Sequence, residues 1–294
     1  MSEHLPPTEA IHAGNPQLDL LPAGGLVELL VRDQLGAIEA VQTQSAAIAR
    51  AVDEIAARLA RGGRLHYVGA GTSGRLAMLD AAEMPPTFGT AAELVRAHIA
   101  GGEAALTGAI EGAEDDAKGG ARQMRDVESR DVVVGVSASG GARFVVAALE
   151  EAKARGAYTV ALTSAEASPL ARASDHAIAL QTGAEMLTGS TRLKAGTAQK
   201  IALNAISTAV MVRLGKVYGN AMVDVVATNE KLRRRALRLV EDLAQVDRHR
   251  ARELLDAAGG RVKVAIVMER KRADAAEARA LLERCGGSLR AVLE

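Results

Sequence analysis

Three groups of residues in this chain have the types and spacing to do chemistry. The first is Gly69-Ala70-Gly71-Thr72-Ser73-Gly74, set between the apolar run Leu65–Val68 and a helical segment from about Arg75 to Ala82. A glycine-rich turn between strand and helix gathers backbone N–H groups at the positive end of the helix, where an anion binds. Its spacing also satisfies G-x-G-x-x-G, the dinucleotide fingerprint. That fingerprint requires an acid at the end of the second strand for the ribose hydroxyls, and the nearest candidate, Glu103, falls late. Thr72 and Ser73 instead put two hydroxyls into the turn, which suits the many oxygens of a phosphate monoester.

The second group repeats the first. Val132–Val136 runs into Ser137-Ala138-Ser139-Gly140-Gly141 and then a helix. Either turn alone is an ordinary Ser/Gly cap; two on one sheet point to a phosphorylated small molecule between them. The third group is carboxylates. Glu83 ends the first helix, with Pro85-Pro86 expected to stop it and Ala82 and Met84 beside it. An acid in rigid apolar surroundings has its pKa raised by desolvation, as a proton donor requires. Glu111, Glu114, Asp115 and Asp116 follow the second strand, and spacing does not choose among them. Two carboxylates beside a phosphosugar support isomerisation, elimination or hydrolysis. Ser190-Thr191-Arg192-Leu193-Lys194 offers hydroxyls and cations as a further wall for an anion.

Other chemistries lack their residues. The six histidines are scattered, without metal-ligand spacing or cysteine pairing. There is no G-x-S-x-G elbow and no G-x-x-x-x-G-K-[ST] loop. Lys plus Arg and Asp plus Glu both total 36, and aromatics are 2% of the chain, so neither charge nor stacking surfaces suggest a nucleic-acid partner. The single cysteine, Cys285, fits a reducing compartment. The polar, Pro-containing N-terminus reads as an arm and not a signal peptide, and no uncharged apolar run reaches about 18 residues, so a cytoplasmic protein without a membrane partner is expected.

The elements that must position these groups follow from periodicity. Apolar positions recur at helical spacing over 25–60, predicting two helices after an extended arm containing Pro6, Pro7, Pro16 and Pro22. From Leu65 the pattern becomes strand, turn and helix. Apolar β-rich runs appear at Leu65–Val68, Leu94–Ile99, Val132–Val136, Thr159–Leu162 and His176–Leu180, and several lack polar alternation, as in strands buried on both faces. An α/β doubly wound sandwich with about five parallel strands is expected. Its ligand belongs beyond the strands' carboxyl ends. The basic run Lys231–Arg235 reads as a hinge to a small all-helical C-terminal domain. The expected division is therefore 1–60 for arm and helices, 61–232 for the sugar-phosphate domain and 233–294 for the helical domain.

GAGTSGRL (69–76), Asp80-Ala81-Ala82-Glu83 with PPTF (85–88), AGGEAALTGAIEGAEDD (100–116), TGSTRLKAGTAQK (188–200) and GKVYGNAMVDVVATNEKLR (215–233) resemble the N-acetylmuramic acid 6-phosphate etherases in sequence and order. The resemblance spans nearly the whole chain. It implies a sugar isomerase (SIS) fold, a lyase of cell-wall recycling that needs neither metal nor organic cofactor, and a homodimer. It implies Glu83 as the proton donor and Glu114 as the second catalytic carboxylate, the base at C2. Gly71, Thr72 and Ser73 match the first phosphate loop; Ser137, Ser139 and Gly140 match the second, with Ser190 and Lys194 beyond. The chain departs from the family at Ser139-Gly140-Gly141-Ala142-Arg143, where S-G-R-T-P is common: a threonine hydroxyl is missing and the arginine is displaced by two positions. Relatives with this sheet include a regulatory protein that binds without catalysis. An aldose–ketose isomerase would share the phosphate loops but not the whole motif set.

Overall fold

The computed structural model describes residues 6–14, 17–225 and 230–294. His4, Pro16 and positions 226–229 of the last shared motif lie outside the described residues. Contacts divide the chain into two units, Met1–Ala81 with Glu93–Ser207, and Ala82–Ala92 with Thr208–Glu294.

In the first unit the arm forms two 3-10 turns, Pro7–Glu9 and Leu18–Leu20, rather than a wholly extended segment. The helical periodicity beyond it resolves into three helices, α1 (Ala23–Asp33), α2 (Leu35–Thr43) and α3 (Ser45–Ala60), where two were expected. The interruptions fall at Gln34 and Gln44, which cap the preceding helices.

The strand–helix alternation follows as β1 (Leu65–Gly69), α4 (Gly71–Phe88), β2 (Val95–Ile99), α5 (Ala104–Thr107), α6 (Ala117–Gln123), β3 (Val132–Val136), α7 (Arg143–Ala154), β4 (Tyr158–Thr163), α8 (Pro169–Ala173), β5 (His176–Ala179) and α9 (Lys194–Arg213). All five strands are parallel, in the order β2-β1-β3-β4-β5, as expected. β1 and β3 are buried along their whole length, which is why their runs are uninterrupted by polar residues. One face of the sheet packs Val68, Val133 and Ala161 against Phe144, Val145, Leu149 and Leu170.

This strand order creates a switch point. From β1 the chain crosses to β2 on one side, then returns to place β3 on the other. The connections leaving β1 and β3 therefore diverge, opening a crevice at the carboxyl ends of those two strands. Gly69 is in register with Val136, so Ala70 and Ser137 leave neighbouring strands at the same level, about 4.8 Å apart across the sheet.

Pro85 and Pro86 do not stop the first helix: α4 continues through both to Phe88. A proline removes a donor but keeps its carbonyl, and the Pro85 carbonyl accepts from Gly89 N at 3.0 Å. The missing N–H groups leave the carbonyls of Ala81 and Ala82 without their usual helical partners, just before Glu83.

The second unit holds the ends of α4 and α9, a two-residue hairpin of β6 (Val217–Tyr218) with β7 (Ala221–Met222), and five helices: α10 (Glu230–Ala244), α11 (Arg248–Ala257), α12 (Val262–Lys271), α13 (Ala275–Arg284) and α14 (Leu289–Leu293). Lys231–Arg235, expected as a hinge, forms the first turns of α10. Straight-chain Lys and Arg are good helix formers, and Ala236, Val240 and Ala244 give that helix its buried stripe. The most buried helix is α12, packed among α10, α11, α13 and α14. Its Lys263 donates to the carbonyls of Gly215 (2.9 Å) and Gly287 (2.6 Å) and to Asp224 (2.6 Å). Burial pushes the Lys263 ammonium below the usual lysine range, opposed by its bond to Asp224. No helix of the described residues is long and apolar enough to cross a membrane.

Candidate phosphate site at the sheet switch point

The first loop is tighter than its sequence suggests. Only Ala70 lies between β1 and α4, so Thr72, Ser73 and Gly74 occupy the first turn of the helix. Each glycine has its own cause. A Cβ on Gly69 would stand 2.6 Å from the amide nitrogen of Gly74, and one on Gly74 would stand 2.6 Å from Cγ1 of Ile99. Gly71 has φ +54°, a backbone conformation that favours glycine. The three together let the helix start hard against the strand end, with its unpaired amides at the switch point.

Arg75 fixes this turn to the connection that follows β2. Its Nε donates to the Ala105 carbonyl at 2.9 Å and its Nη2 to that of Gly108 at 2.7 Å. Ser73 is 8% exposed, and its hydroxyl donates to Oε1 of Gln199 on α9 at 2.9 Å.

In the second loop, Ser137 Oγ accepts from Gly140 N and Ser139 Oγ from Gly141 N, both at 3.2 Å. Gly140 has φ +68°, and a Cβ there would meet the Ser168 hydroxyl at 2.3 Å. Both serines therefore shape a turn, while their hydroxyl protons remain available to an acceptor. Ser139 borders a cavity of about 670 Å³ that Ser164, Ser168 and Gln181 also line. The displaced Arg143 is the first residue of α7.

Lys194 and Glu83 have surroundings that sequence reasoning did not anticipate. Lys194, expected at an anion, is buried, with its ammonium 2.7 Å from Asp33 and 2.8 Å from the Ala184 carbonyl. Its charge is already neutralised within the fold. Ser190 lies in the turn before α9, where its N–H donates to the Leu187 carbonyl. Glu83, expected in apolar surroundings, is exposed, as is its neighbour Ala82, while Met84 is buried. On a helix the side chains at 83 and 84 project about 100° apart, so burial of one says little of the other. Glu114 sits in the 3-10 turn Ala113–Asp115 and is also exposed. Among the described residues neither carboxylate has a hydrogen-bonding or ionic partner.

Sequence reasoning missed the polar residues that hold the site's helices together. Asp80, Asn204, Ser207 and Gln199 are all in the first unit. Asp80 accepts from Asn204 Nδ2 at 2.6 Å and Ser207 Oγ at 3.0 Å. Glu185, fully buried, accepts from the backbone N–H groups of Lys194 and Ala195 and so caps α9 from a distance. The available signal was positional: Gln199 and Ser207 fall on the same stripe of α9 as Ala195, Leu203 and Ile206. Polar residues at such positions require a buried partner.

A parallel five-stranded sheet with two Ser/Gly turns at its switch point defines the class: a sugar isomerase (SIS) domain. The SIS domain family matches residues 111–209, and the N-terminal SIS domain of glucokinase regulatory protein matches residues 47–153. The fold is shared with a solved Escherichia coli CFT073 protein, 19% identical, at a TM-score of 0.50 over 68% of this chain and 97% of that one. More specifically, the chain is 48% identical over 301 residues to N-acetylmuramic acid 6-phosphate etherase of Gloeobacter violaceus, covering 100% of this chain and 98% of that protein. It is 49% identical to the etherase of Deinococcus radiodurans, over 97% of this chain and 94% of that protein. The chain belongs to the N-acetylmuramic acid 6-phosphate etherase family.

Proposed function

We propose that this protein cleaves the D-lactyl ether of N-acetylmuramic acid 6-phosphate, giving N-acetylglucosamine 6-phosphate and D-lactate in the recycling of cell-wall amino sugars. The observation that carries the reading is near-half identity to named etherases along the whole chain. The geometry agrees with it: a phosphate needs amides and hydroxyls, and the switch point offers both.

The reaction is an elimination followed by hydration. The open-chain aldehyde at C1 acidifies the hydrogen on C2. Glu114 takes that proton as base, and the electron pair forms the C2=C3 bond. The C3–O bond breaks with its electrons to oxygen, which takes a proton from Glu83, and lactate leaves. Water then adds at C3, with its second proton returned to the protein and C2 reprotonated. The carbonyl stores the developing charge, so the side chains have only protons to move. That Glu83 and Glu114 are exposed and unengaged supports these roles, since a proton carrier must reach its substrate.

The protein acts as a cytoplasmic homodimer in this reading. Its support is the apolar surface of the N-terminal helices: α1 buries no residue, and Val31 on α1 is 66% exposed, with Val27, Leu35 and Ile38 also exposed. A second reading, a silent phosphosugar-binding regulator, draws on the match to the regulatory protein's SIS domain. Incubation with N-acetylmuramic acid 6-phosphate and assay of D-lactate decides between them. Release of lactate establishes the lyase, and binding without release establishes the regulator.

A further inference from the structure

We propose that Gln199 is a positioning residue that sets the direction of the Ser73 hydroxyl, and through it the affinity for the phosphate group. The inference rests on the reading that the Gly71–Gly74 turn takes the phosphate of a sugar phosphate.

Ser73 has one hydroxyl proton. In the structure that proton goes to Gln199 Oε1, so it is not available to an anion at the helix N-terminus. Gln199 is 1% exposed, and its Nε2 has no hydrogen-bond partner. A primary amide carries two N–H donors and one acceptor, so this arrangement buries two donors unpaired. Packing alone does not ask for such a residue. The neighbouring buried positions on α9, Ala195, Ala198, Ala202 and Leu203, are apolar, and an apolar side chain would fill the space without unpaired groups.

A half-turn of the Gln199 amide frees the Ser73 proton when an anion is present, with Oε1 giving up its partner in exchange. Nε2 then donates to Ser73 Oγ, which gives one orphaned N–H an acceptor. Ser73 in turn donates its proton to a phosphate oxygen, a charge-assisted bond about twice as strong as a neutral one. With the site empty, the hydroxyl falls back onto Oε1. Gln199 thus couples to phosphate only through Ser73. Phosphate contacts remote from the reacting bond act alike on ground and transition states, so the effect belongs in KM and not kcat.

The test combines calorimetry, using N-acetylglucosamine 6-phosphate as the probe, with lactate release from N-acetylmuramic acid 6-phosphate. Gln199→Met is expected to weaken probe binding and raise KM about tenfold, with kcat changed by less than about twofold. In a Ser73→Ala background the same substitution is expected to change binding by less than about twofold. Gln199→Glu supplies a second measurement should the Met variant fail to fold. Ionised, Glu accepts from Ser73 but cannot donate; protonated, it can donate. Relative to the parent at each pH, its binding is expected to be weak at pH 8 and to recover towards pH 6. An equal loss from Gln199→Met with and without Ser73, a fall in kcat at constant KM, or a pH-independent defect in Gln199→Glu overturns the proposal. Absence of lactate release with the coupling intact removes the reaction and leaves this role standing. Release with no coupling does the reverse.

Discussion

Asp80 and Asn204 meet at 2.6 Å in the interior of the first unit, the amide of one helix donating to the carboxylate of another. Lys200 donates to Asn204 Oδ1, which fixes the amide's orientation and aims Nδ2 at Asp80. Ser207 adds a second donor at 3.0 Å. Tyr67 stands fully buried beside this group, and burial followed by the nearby Asp80 charge pushes its hydroxyl well above the usual tyrosine range. The carboxylate thus ties α4, which begins with the Gly71–Gly74 turn, to α9.

Asp80→Ala removes the acceptor from the half-buried Asn204 amide and the buried Ser207 hydroxyl. The expected loss is about 1 to 3 kcal/mol, at about 2 to 4 °C of Tm for each kcal/mol in a chain of this size. Thermal unfolding measures it. Asp80→Asn keeps an acceptor and is expected to fall between parent and Ala; a larger loss for Asn than for Ala would contradict the assignment.

Glu83→Ala is expected to cut lactate release by about 100-fold or more while leaving the melting temperature unchanged, because the side chain is exposed. The comparison is kcat against thermal unfolding on the same preparation. Undiminished release would remove Glu83 from the acid role.

Glu114→Gln is expected to slow exchange of the substrate's C2 hydrogen with solvent deuterium, followed by NMR, by about 100-fold or more. Exchange precedes departure of lactate, so it isolates the base from the acid. Exchange at the parent rate would place the base elsewhere.

At the amino ends of β1 and β3, burial and then the neighbouring His98 push His66 down to about 4. Its ring stacks on His98, and its Nε2 lies 3.7 Å from the buried Asp131 carboxylate. The unfolded chain, with an ordinary histidine near 6.5, takes up this proton first as pH falls. Stability is therefore full above about 6.5 and is lost progressively down to about pH 4, by up to about 3 kcal/mol. His66→Gln is expected to flatten the decline of Tm between those limits. An equally steep decline in the variant would assign the loss to other groups.

The sheet was legible because its strands are short β-rich runs bounded by turns, and in β1 and β3 burial on both faces writes a near-continuous apolar pattern into the chain. The five runs lie within a residue or so of β1 to β5. The two Ser/Gly turns were legible for a related reason: at Gly69, Gly74 and Gly140 a Cβ would collide with its surroundings, and Gly71 has a φ that favours glycine. Helix ends were less so. Pro85-Pro86 reads as a stop, yet a helix tolerates the loss of two donors near its end while its carbonyls still accept.

By itself, then, the sequence determined the order of strands and turns along the chain, the residue types at the two Ser/Gly turns and the family that these motifs mark. Only the tertiary structure decided which polar groups face each other. Lys194 reads as a free cation until Asp33, 161 positions away, is found paired with it. Gln199 looks like one polar residue among many until Ser73, 126 positions away, is found donating to it. Local pattern is set by backbone conformation and burial, which each residue expresses alone. Pairing across such separations depends on where the sheet places two helices, and no single segment carries that information.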